Sequence, residues 1–412
     1  MEHKKTICLV TNWYPTPENP YYGSFFKEQA FAVADHFDFV VLHYREHRAV
    51  FSSGNNRLLE VNRERNTVEF VLDVKLSVWY DILNQLTDLH HKVSGKDKRR
   101  GVGKYVSKAK RNKVKKLLTK ALSKEDVLSF DALYCVDAQY EAGILQVLSE
   151  LTGKPYVISE HSPVPPLGLL INNQNYEAME NADLLLLISW DKARQLMMQN
   201  IHMPPTRYIG NLVDETRFTL CDKEPLKEKT ILIMGANSFY KNYAHFCKVM
   251  ERLCEITEVS FRILIAGYAA NKGYAGDREQ FECLLHSKTF SDRLELLPEV
   301  RREEIEKVYH QADVFVMTSI QEGQPLAAME AACCGLPVFA TRCGGIEDYV
   351  DDSMGRLYHV MDVEGMASGL KQFLEEKLVF DPVTIRSKVV KQYGRETFVR
   401  NFTEAFCSVL DR

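Results

Sequence analysis

Two glutamates in the second half of the chain flank a turn that predicts a helix N-terminus, which is suited to binding an anionic ligand. Glu322 and Glu330 are eight positions apart, and Gly-Gln-Pro separates the first from an apolar, alanine-rich run. Proline is favoured in the first turn of a helix and glycine just after its last turn. The stretch 319–350 therefore predicts a loop, a helix beginning at Pro325, a Gly-Leu-Pro stop and a strand. The N-terminus of this helix would offer N–H groups and the positive end of its dipole to an anion beside Glu322.

Glu330 would lie nearly two turns into a helix whose other residues suit burial. A carboxylate surrounded by small apolar side chains needs a polar partner. Ribose hydroxyls could be that partner. The pair of glutamates and the helix end thus predict a site for a nucleotide with its phosphates.

The segment EGQPLAAMEAACCGLPV resembles the donor-nucleotide motif of the retaining glycosyltransferases of family four. That motif has a glutamate, a Gly-x-Pro-Leu turn, a second glutamate eight positions on, and a Gly-Leu-Pro-Val stop. The resemblance implies that Glu330 binds the donor ribose and that Glu322 lies by the transferred sugar and diphosphate. It also implies that the backbone of Gln324, Pro325 and Leu326 holds phosphate or sugar oxygens. The alternative is a strand–helix–strand crossover whose glutamates are merely solvated.

A second matching element is ILIMGANSFYKN, a predicted strand and loop. The family has Gly-Arg at the end of this strand and a lysine five residues after the arginine, both neutralising the leaving diphosphate. Gly235 and Lys241 match, but Ala236 replaces the arginine. The negative charge that develops on a leaving diphosphate needs cations or N–H dipoles to stabilise it. Without the arginine, Lys241 and the predicted helix end must supply more of this stabilisation. The alternative for Lys241 is an exposed loop lysine.

Three further positions are assigned by the same resemblance. His161 follows a predicted strand in YVISEHSP, where the family has a histidine beside the transferred sugar; a capping or buried structural histidine is the alternative. Gly23 lies in the loop after the first strand, where the family has a glycine-containing loop over the sugar or acceptor. Gly267 matches a family glycine near the nucleotide, although the second family glycine is Ala269 here. The predicted catalytic residues are therefore His161, Glu322 and Lys241.

Alternation of short apolar runs with helical patterns predicts an α/β protein. At 412 residues the chain is long for one core and suggests two domains. Val-, Ile- and Leu-rich strands alternating with helices indicate parallel sheets covered by helices on both faces. The resemblance implies the GT-B fold, in which two Rossmann-like, doubly wound parallel-sheet domains face a cleft. We expect an acceptor-side domain at 1–205, a nucleotide-sugar-binding domain at 206–385, and a C-terminal helix at 386–412 that returns to the first domain.

A strongly basic segment extends from Lys92 to Lys124. It contains fourteen Lys or Arg and one acidic residue, a net charge of +13. Apolar residues recur within it at helical spacing. Such a segment could bind an anionic membrane surface or a phosphate-bearing acceptor, or it could be a solvated face with a flexible loop. Nucleic acid is a weaker alternative because no aromatic residues are interleaved for stacking, so no nucleic-acid partner is predicted.

Composition also bears on compartment, metals and cofactors. Ten cysteines without a C-x-x-C pair favour a reducing cytoplasm. No signal peptide or membrane-spanning run is evident, so a cytoplasmic protein is expected, with the inner face of the membrane as an alternative through the basic segment. No Asp-x-Asp sequence and no His/Cys cluster occurs, so no metal is expected. No cofactor is expected either, since the nucleotide-diphosphate sugar is a substrate, with UDP the commonest nucleotide in the family.

Together these observations predict a retaining glycosyltransferase that moves a hexose from a nucleotide-diphosphate sugar to an acceptor hydroxyl. Its partners would be the nucleotide sugar and a sugar or lipid-linked acceptor, in polysaccharide or glycolipid assembly. Two alternatives remain open. One is a sugar-nucleotide 2-epimerase of the same fold, and the other is a non-catalytic sugar-nucleotide-binding protein, which Ala236 would favour.

Overall fold

A computed structural model describes most of the chain, which divides into two compact units. The described residues are 4–11, 13–16, 23–49, 57–77, 111, 112, 114–116, 118, 119, 129–161, 173–199, 201–220, 228–269 and 278–411. The first unit comprises Met1–Ile188, Lys192–Ile209 and Val399–Arg412, and the second comprises Ser189–Asp191 and Gly210–Phe398. The main division thus lies at 209/210, compared with the 205/206 expected from the sequence.

The first unit is built on an eight-stranded sheet. Its strands lie in the order β3-β4-β2-β1-β5-β6-β7-β8, and all neighbours are parallel except β3 and β4. The strands are β1 (Lys5–Val10), β2 (Phe37–Ala49), β3 (Arg57–Glu64), β4 (Thr67–Ser77), β5 (Ala132–Cys135), β6 (Tyr156–Ser159), β7 (Leu184–Leu187) and β8 (Thr206–Tyr208). The helices along this part of the chain include α1 (Ser24–Ala32), α2 (Ala138–Thr152), α3 (Asn173–Glu180) and α4 (Trp190–Met198).

The second unit is built on a six-stranded sheet in which all neighbours are parallel. The order is β11-β10-β9-β12-β13-β14, which is the 3-2-1-4-5-6 order of dinucleotide-binding folds. The strands are β9 (Lys229–Met234), β10 (Phe261–Ala266), β11 (Leu294–Leu297), β12 (Val314–Met317), β13 (Val338–Thr341) and β14 (Gly355–Tyr358). The helices along the rest of the chain include α5 (Tyr243–Ile256), α6 (Arg278–Leu285), α7 (Ile305–Tyr309), α8 (Leu326–Cys333), α9 (Val363–Leu374), α10 (Pro382–Tyr393) and α11 (Arg395–Leu410).

Each sheet is the centre of its own apolar core. The central strands β5, β6, β7, β12 and β13 are buried along their whole length, as expected for parallel strands covered on both faces. Val114 and Leu118, two apolar residues of the basic segment, are buried in the core of the first unit. Nearby, Arg111 and Lys115 form ion pairs with Glu150. Most of the remaining basic segment lies outside the described residues.

Two features of the fold differ from the sequence-based expectation. The antiparallel hairpin of β3 and β4 was not predicted, because β3, RLLEVNRE, includes four charged residues and lacks a regular apolar–polar alternation. The single C-terminal helix expected through VKQYGRETFVRNFTEAFCSVL is two helices, since the chain is extended at Gly394 (φ −65°, ψ 168°). Beyond this break, Phe402 and Phe406 of α11 pack against Phe37 and Tyr134, and the residues from Val399 onward cluster with the first unit.

Candidate active site

The candidate site of the second unit lies where its strand order reverses. Strand β9 is flanked by β10 on one side and by β12 on the other. The connections leaving β9 and β12 therefore diverge to opposite faces and open a crevice at the carboxyl ends of the strands, where ligands of such sheets bind. Lys241 follows β9 and Glu322 follows β12, so topology alone brings these two predicted residues to the same edge.

Gly235 directly follows β9 and makes room for the Lys241 side chain. Its φ is +133°, and a Cβ placed there would lie 3.0 Å from Lys241 Cε and 3.5 Å from Nζ. The Tyr243 hydroxyl donates to the Gly235 carbonyl at 2.7 Å. A short 3₁₀ helix, Phe239–Lys241, then turns the chain so that the lysine folds back over the glycine. A side chain at 235 would push Lys241 away from its position.

Lys241 and Glu322 form an ion pair. Lys241 Nζ lies 2.7 Å from Glu322 Oε1, and the side chains are 24% and 17% exposed. The Ser319 hydroxyl donates to the same carboxylate oxygen at 2.7 Å, and the Glu322 N–H donates to the Cys343 carbonyl at 2.7 Å. Both the backbone and the carboxylate of Glu322 are thus fixed, and the lysine is held by a partner that is itself held.

Two glycines after β13 allow another loop to pack directly on the Glu322 loop. Gly344 and Gly345 have φ values of +91° and +66°, which favour glycine. A Cβ on Gly345 would lie 2.2 Å from the Gly323 carbonyl oxygen and 2.9 Å from Gln324 Cα. Any larger residue at 345 would therefore displace the loop that carries Glu322.

Gln324, Pro325 and Leu326 form the entry to α8. The buried Gln324 accepts a hydrogen bond from the Asn211 N–H through its side-chain Oε1 (2.5 Å) and another from Asn211 Nδ2 through its carbonyl (3.2 Å). Pro325 is the N-cap residue (ψ 101°) and Leu326 the first helical residue, so the helix begins one position later than expected. Because Pro325 has no N–H, the free donors at this end begin with Leu326.

Glu330 lies inside α8 and is bound by two protein side chains. It is 3% exposed. Arg302 Nη1 lies 2.5 Å from its Oε1, and the Tyr309 hydroxyl donates to its Oε2 at 2.9 Å. Burial, and then the charge of Glu330, raise the pKa of Tyr309 well above its usual value, so the phenol keeps the proton that it donates. The sequence prediction that this carboxylate needs a polar partner did not identify either of these residues.

Gly267 directly follows β10 and lies close to Gly235. Its φ is +71°, and a Cβ on it would lie 3.9 Å from the Gly235 nitrogen. The Gly235 N–H donates to the Ala266 carbonyl at 3.0 Å, and the Gly267 N–H donates to the Leu297 carbonyl at 2.8 Å. These backbone hydrogen bonds join the carboxyl ends of β9, β10 and β11 to one another.

His161 belongs to the first unit, at the end of β6. Its Nε2 lies 2.8 Å from the Ser159 hydroxyl, and its ring packs edge-on against Phe26 with centroids 4.8 Å apart. Burial, with a smaller contribution from Lys192, lowers the pKa of His161 to about 3. The imidazole is therefore neutral at physiological pH and can exchange hydrogen bonds but carries no positive charge.

Gly23 lies close to the same aromatic residues. It precedes α1 with a φ of +68°, and a Cβ there would lie 2.3 Å from the Trp13 carbonyl oxygen. The Trp13 ring packs against Phe26 with centroids 5.5 Å apart. Gly23 thus allows the loop after β1 to approach the start of α1, and it shares the neighbour Phe26 with His161.

The structure therefore gathers the predicted residues into two groups. Gly235, Lys241, Gly267, Glu322 and the start of α8 lie around one edge of the second sheet, with Glu330 farther along α8, while Gly23 and His161 lie in the first unit. Sequence reasoning missed Ser319, Arg302 and Tyr309. Within the described ranges no group of three or more His, Cys, Asp or Glu could hold a metal ion, and no helix there is long and apolar enough to cross a bilayer.

These features define a protein of the GT-B class, with two α/β units that are each built on a largely parallel sheet. Residues 221–397 match the family described as glycosyl transferases group 1. This match lies within the second unit, Gly210–Phe398. The family resemblance and the fold class stated from the sequence are both confirmed.

Among the sequence relatives is a D-inositol 3-phosphate glycosyltransferase from Mycobacterium sp. (strain KMS). It is 27% identical over 240 residues, which cover 56% of this chain and 52% of the relative. The chain thus aligns with about half the length of the curated relatives it matches. Similar solved structures include a sucrose-phosphate synthase from Thermosynechococcus elongatus, with a TM-score of 0.73 and 14% identity over 99% of this chain and 100% of that chain.

A second solved structure is an α,α-trehalose-phosphate synthase (UDP-forming) from Burkholderia xenovorans in complex with glucose-6-phosphate. Its TM-score is 0.69 at 14% identity, over 98% of this chain and 100% of that chain. At these identities the similarity establishes the fold. It extends over nearly the whole chain, so the first unit shares the fold even though the family match begins at residue 221.

Proposed function

We propose that this protein is a retaining glycosyltransferase that moves a hexose from a nucleotide-diphosphate sugar to an acceptor hydroxyl. The observation that carries the proposal is the Lys241–Glu322 ion pair at the strand-order reversal of a group 1 glycosyl transferase unit. It combines a fixed cation, a fixed carboxylate and a following helix N-terminus at the edge where ligands of such sheets bind.

Lys241 is the proposed contact to the leaving diphosphate. An ammonium group has three N–H donors, and Glu322 engages one of them in the structure. The other two can bind phosphate oxygens as negative charge develops on the leaving group. The N–H groups at the start of α8 supply further positive potential. Together they would compensate for Ala236, where the family has an arginine.

Glu330 is the proposed partner of the donor ribose. A carboxylate has about four acceptor positions on its two oxygens. Arg302 and Tyr309 engage one position on each oxygen, which leaves one on each for two neighbouring hydroxyls. The nucleoside would then be held by Glu330 and the diphosphate by Lys241.

Stereochemistry, metal independence and the role of His161 follow from the family resemblance and form part of the proposal. The neutral imidazole would contact the transferred sugar through a hydrogen bond. Departure of the diphosphate would be assisted by the lysine and the helix end in place of a divalent ion. With an α-linked donor, the product linkage would then be α.

UDP is the proposed donor nucleotide, and a sugar or lipid-linked molecule is the proposed acceptor. One support is that the similar trehalose-phosphate synthase from Burkholderia xenovorans is a UDP-forming enzyme. We also propose contact of the 92–124 segment with an anionic membrane surface, which its charge of +13 supports. Polysaccharide or glycolipid assembly in the cytoplasm would be consistent with such an acceptor.

Incubation with UDP-hexoses and a panel of sugar, sugar-phosphate and lipid-linked acceptors tests this function. We expect release of UDP that depends on an acceptor, and a product carrying one additional hexose in α linkage by NMR. The Lys241→Met variant is the matched negative control.

The same experiment separates the two alternatives. A 2-epimerase would convert the donor sugar without any acceptor, and a binding protein would retain the donor unchanged. The family match and the glycosyltransferase and synthase names of the relatives favour transfer. A β-linked product would contradict retention while leaving the fold assignment intact.

A further inference from the structure

Glu330 is the centre of a buried cluster in the second unit. Arg302, at the start of the 3₁₀ helix Arg302–Glu304 after β11, donates to Oε1 at 2.5 Å. Tyr309, the last residue of α7, donates to Oε2 at 2.9 Å and also lies 3.1 Å from the Ala327 carbonyl. Three separate elements therefore meet at one carboxylate.

Phe218 holds both of these donors in place. It is fully buried, its ring lies 5.4 Å from the Arg302 guanidinium carbon, and it packs edge-on against Tyr309 with centroids 5.9 Å apart. A guanidinium on an aromatic face and an edge-on ring pair are both favourable arrangements. The two partners of Glu330 thus share an apolar support that restricts their own rotamers.

We propose that Arg302 and Tyr309 are positioning residues that fix the Glu330 carboxylate so that each of its oxygens presents its remaining acceptor position to one of two adjacent ribose hydroxyls. The inference rests on the proposed function, because it assigns how that donor site recognises its sugar nucleotide. Arg302 neutralises a carboxylate that would otherwise be buried without a counter-charge. Tyr309 prevents the carboxylate from rotating away from the hydroxyls. Neither residue itself contacts the reacting atoms.

The chain offers a closely matched control in the neighbouring residue. Arg301 pairs with Glu304, and its side chain is 68% exposed, whereas the Arg302 side chain is 17% exposed and that of Glu330 is 4% exposed. Arg301→Gln removes the same charge one position away without touching the carboxylate of α8. Any effect of net charge on nucleotide binding is therefore shared by the Arg301→Gln and Arg302→Gln variants, and only the latter affects Glu330.

The test is calorimetric titration with UDP and with 2′,3′-dideoxy-UDP, which lacks the two hydroxyls. Wild type should prefer UDP by about 10-fold or more, since one hydrogen bond to a charged group is worth that much. In Arg302→Gln this preference should fall to about threefold or less, with dideoxy-UDP binding unchanged. Arg301→Gln should keep the full preference, and Arg302→Lys should lie between the two because it keeps the charge without the planar fork.

Three outcomes would overturn the inference or separate it from the proposed function. A full preference for UDP in Arg302→Gln means that Arg302 does not position Glu330. Tighter UDP binding in Arg302→Gln means that Arg302 competes with the ribose instead. If wild type binds none of UDP, GDP or ADP, the proposed function fails as well. If Arg302→Gln does not fold, Tyr309→Phe provides the test, because it keeps the ring packing and removes only the hydroxyl. Its affinity for UDP relative to 2′,3′-dideoxy-UDP must then fall below that of wild type.

Discussion

Replacement of Lys241 by methionine removes the ammonium group from the predicted diphosphate site while keeping most of the side-chain volume. Charge-assisted hydrogen bonds contribute about 1.5–3 kcal/mol each. Loss of one or two of them should weaken UDP binding by about 10- to 100-fold or more. Uridine, which has no phosphate, should bind as it does to wild type.

The ion pair adds a second contribution that can be separated. Without Lys241, the Glu322 carboxylate remains fixed by the Ser319 hydroxyl and would face the diphosphate of the proposed donor. Two like charges about 6 Å apart repel by about 3 kcal/mol at an effective dielectric constant of about 20. The double variant Lys241→Met, Glu322→Gln should therefore recover part of the UDP affinity that Lys241→Met loses.

Isothermal titration calorimetry with UDP and uridine measures both effects. Lys388→Met is the matched control, because Lys388 also pairs with a carboxylate, Asp351, but on an exposed surface of the same unit. The reasoning is refuted if Lys241→Met binds UDP as well as Lys388→Met does, or if UDP and uridine lose affinity equally.

Four further predictions concern pH, backbone conformation, metal ions and the membrane. The pKa of His161 is about 3 in the folded protein and about 6.5 in an unfolded chain, so the unfolded state binds more protons between these values. The free energy of unfolding of wild type, measured by urea titration, should therefore fall as the pH drops below about 6.5. In His161→Gln this fall should be smaller by up to about 1.4 kcal/mol per pH unit. Gly345→Ala should lower the melting temperature more than Gly153→Ala, because both glycines have positive φ but a Cβ at 153 meets nothing within 4 Å; equal losses would contradict the packing argument. Transfer should persist in excess EDTA, and a loss restored by Mn²⁺ would contradict the metal-independent mechanism. The protein should bind anionic vesicles, and this binding should weaken as the salt concentration rises. Gln substitutions at 98–100 should reduce it. If wild type does not bind anionic vesicles, the basic segment is a solvated face.

Much of the architecture could be predicted because it depends on local patterns. The runs ALYC and VFVM are uniformly apolar, and both are fully buried strands. The Glu322 loop and the helix after Pro325 were also recognisable, since proline and glycine mark helix ends. The hairpin of β3 and β4 was not, because β3 carries four charged residues and lacks the regular alternation of apolar and polar residues that indicates a strand.

The side-chain partners of the site were harder to predict because they are distant in sequence. Arg302 and Tyr309 precede Glu330 by 28 and 21 positions, and nothing local links them to a carboxylate in α8. Only the strand order brings Lys241 and Glu322 together across 81 positions. The neutrality of His161 could not be predicted either, because it results from burial, which depends on the packing of α1 and its neighbours.

The central claim is that the second unit binds a nucleoside diphosphate with Lys241 on the phosphates and Glu330 on the ribose. A crystal structure of wild type with saturating UDP tests this most directly. We expect a phosphate oxygen within about 3.2 Å of Lys241 Nζ and a ribose hydroxyl at a similar distance from a Glu330 carboxylate oxygen. A UDP molecule bound away from these side chains, or no bound UDP at saturating concentration, would contradict the account.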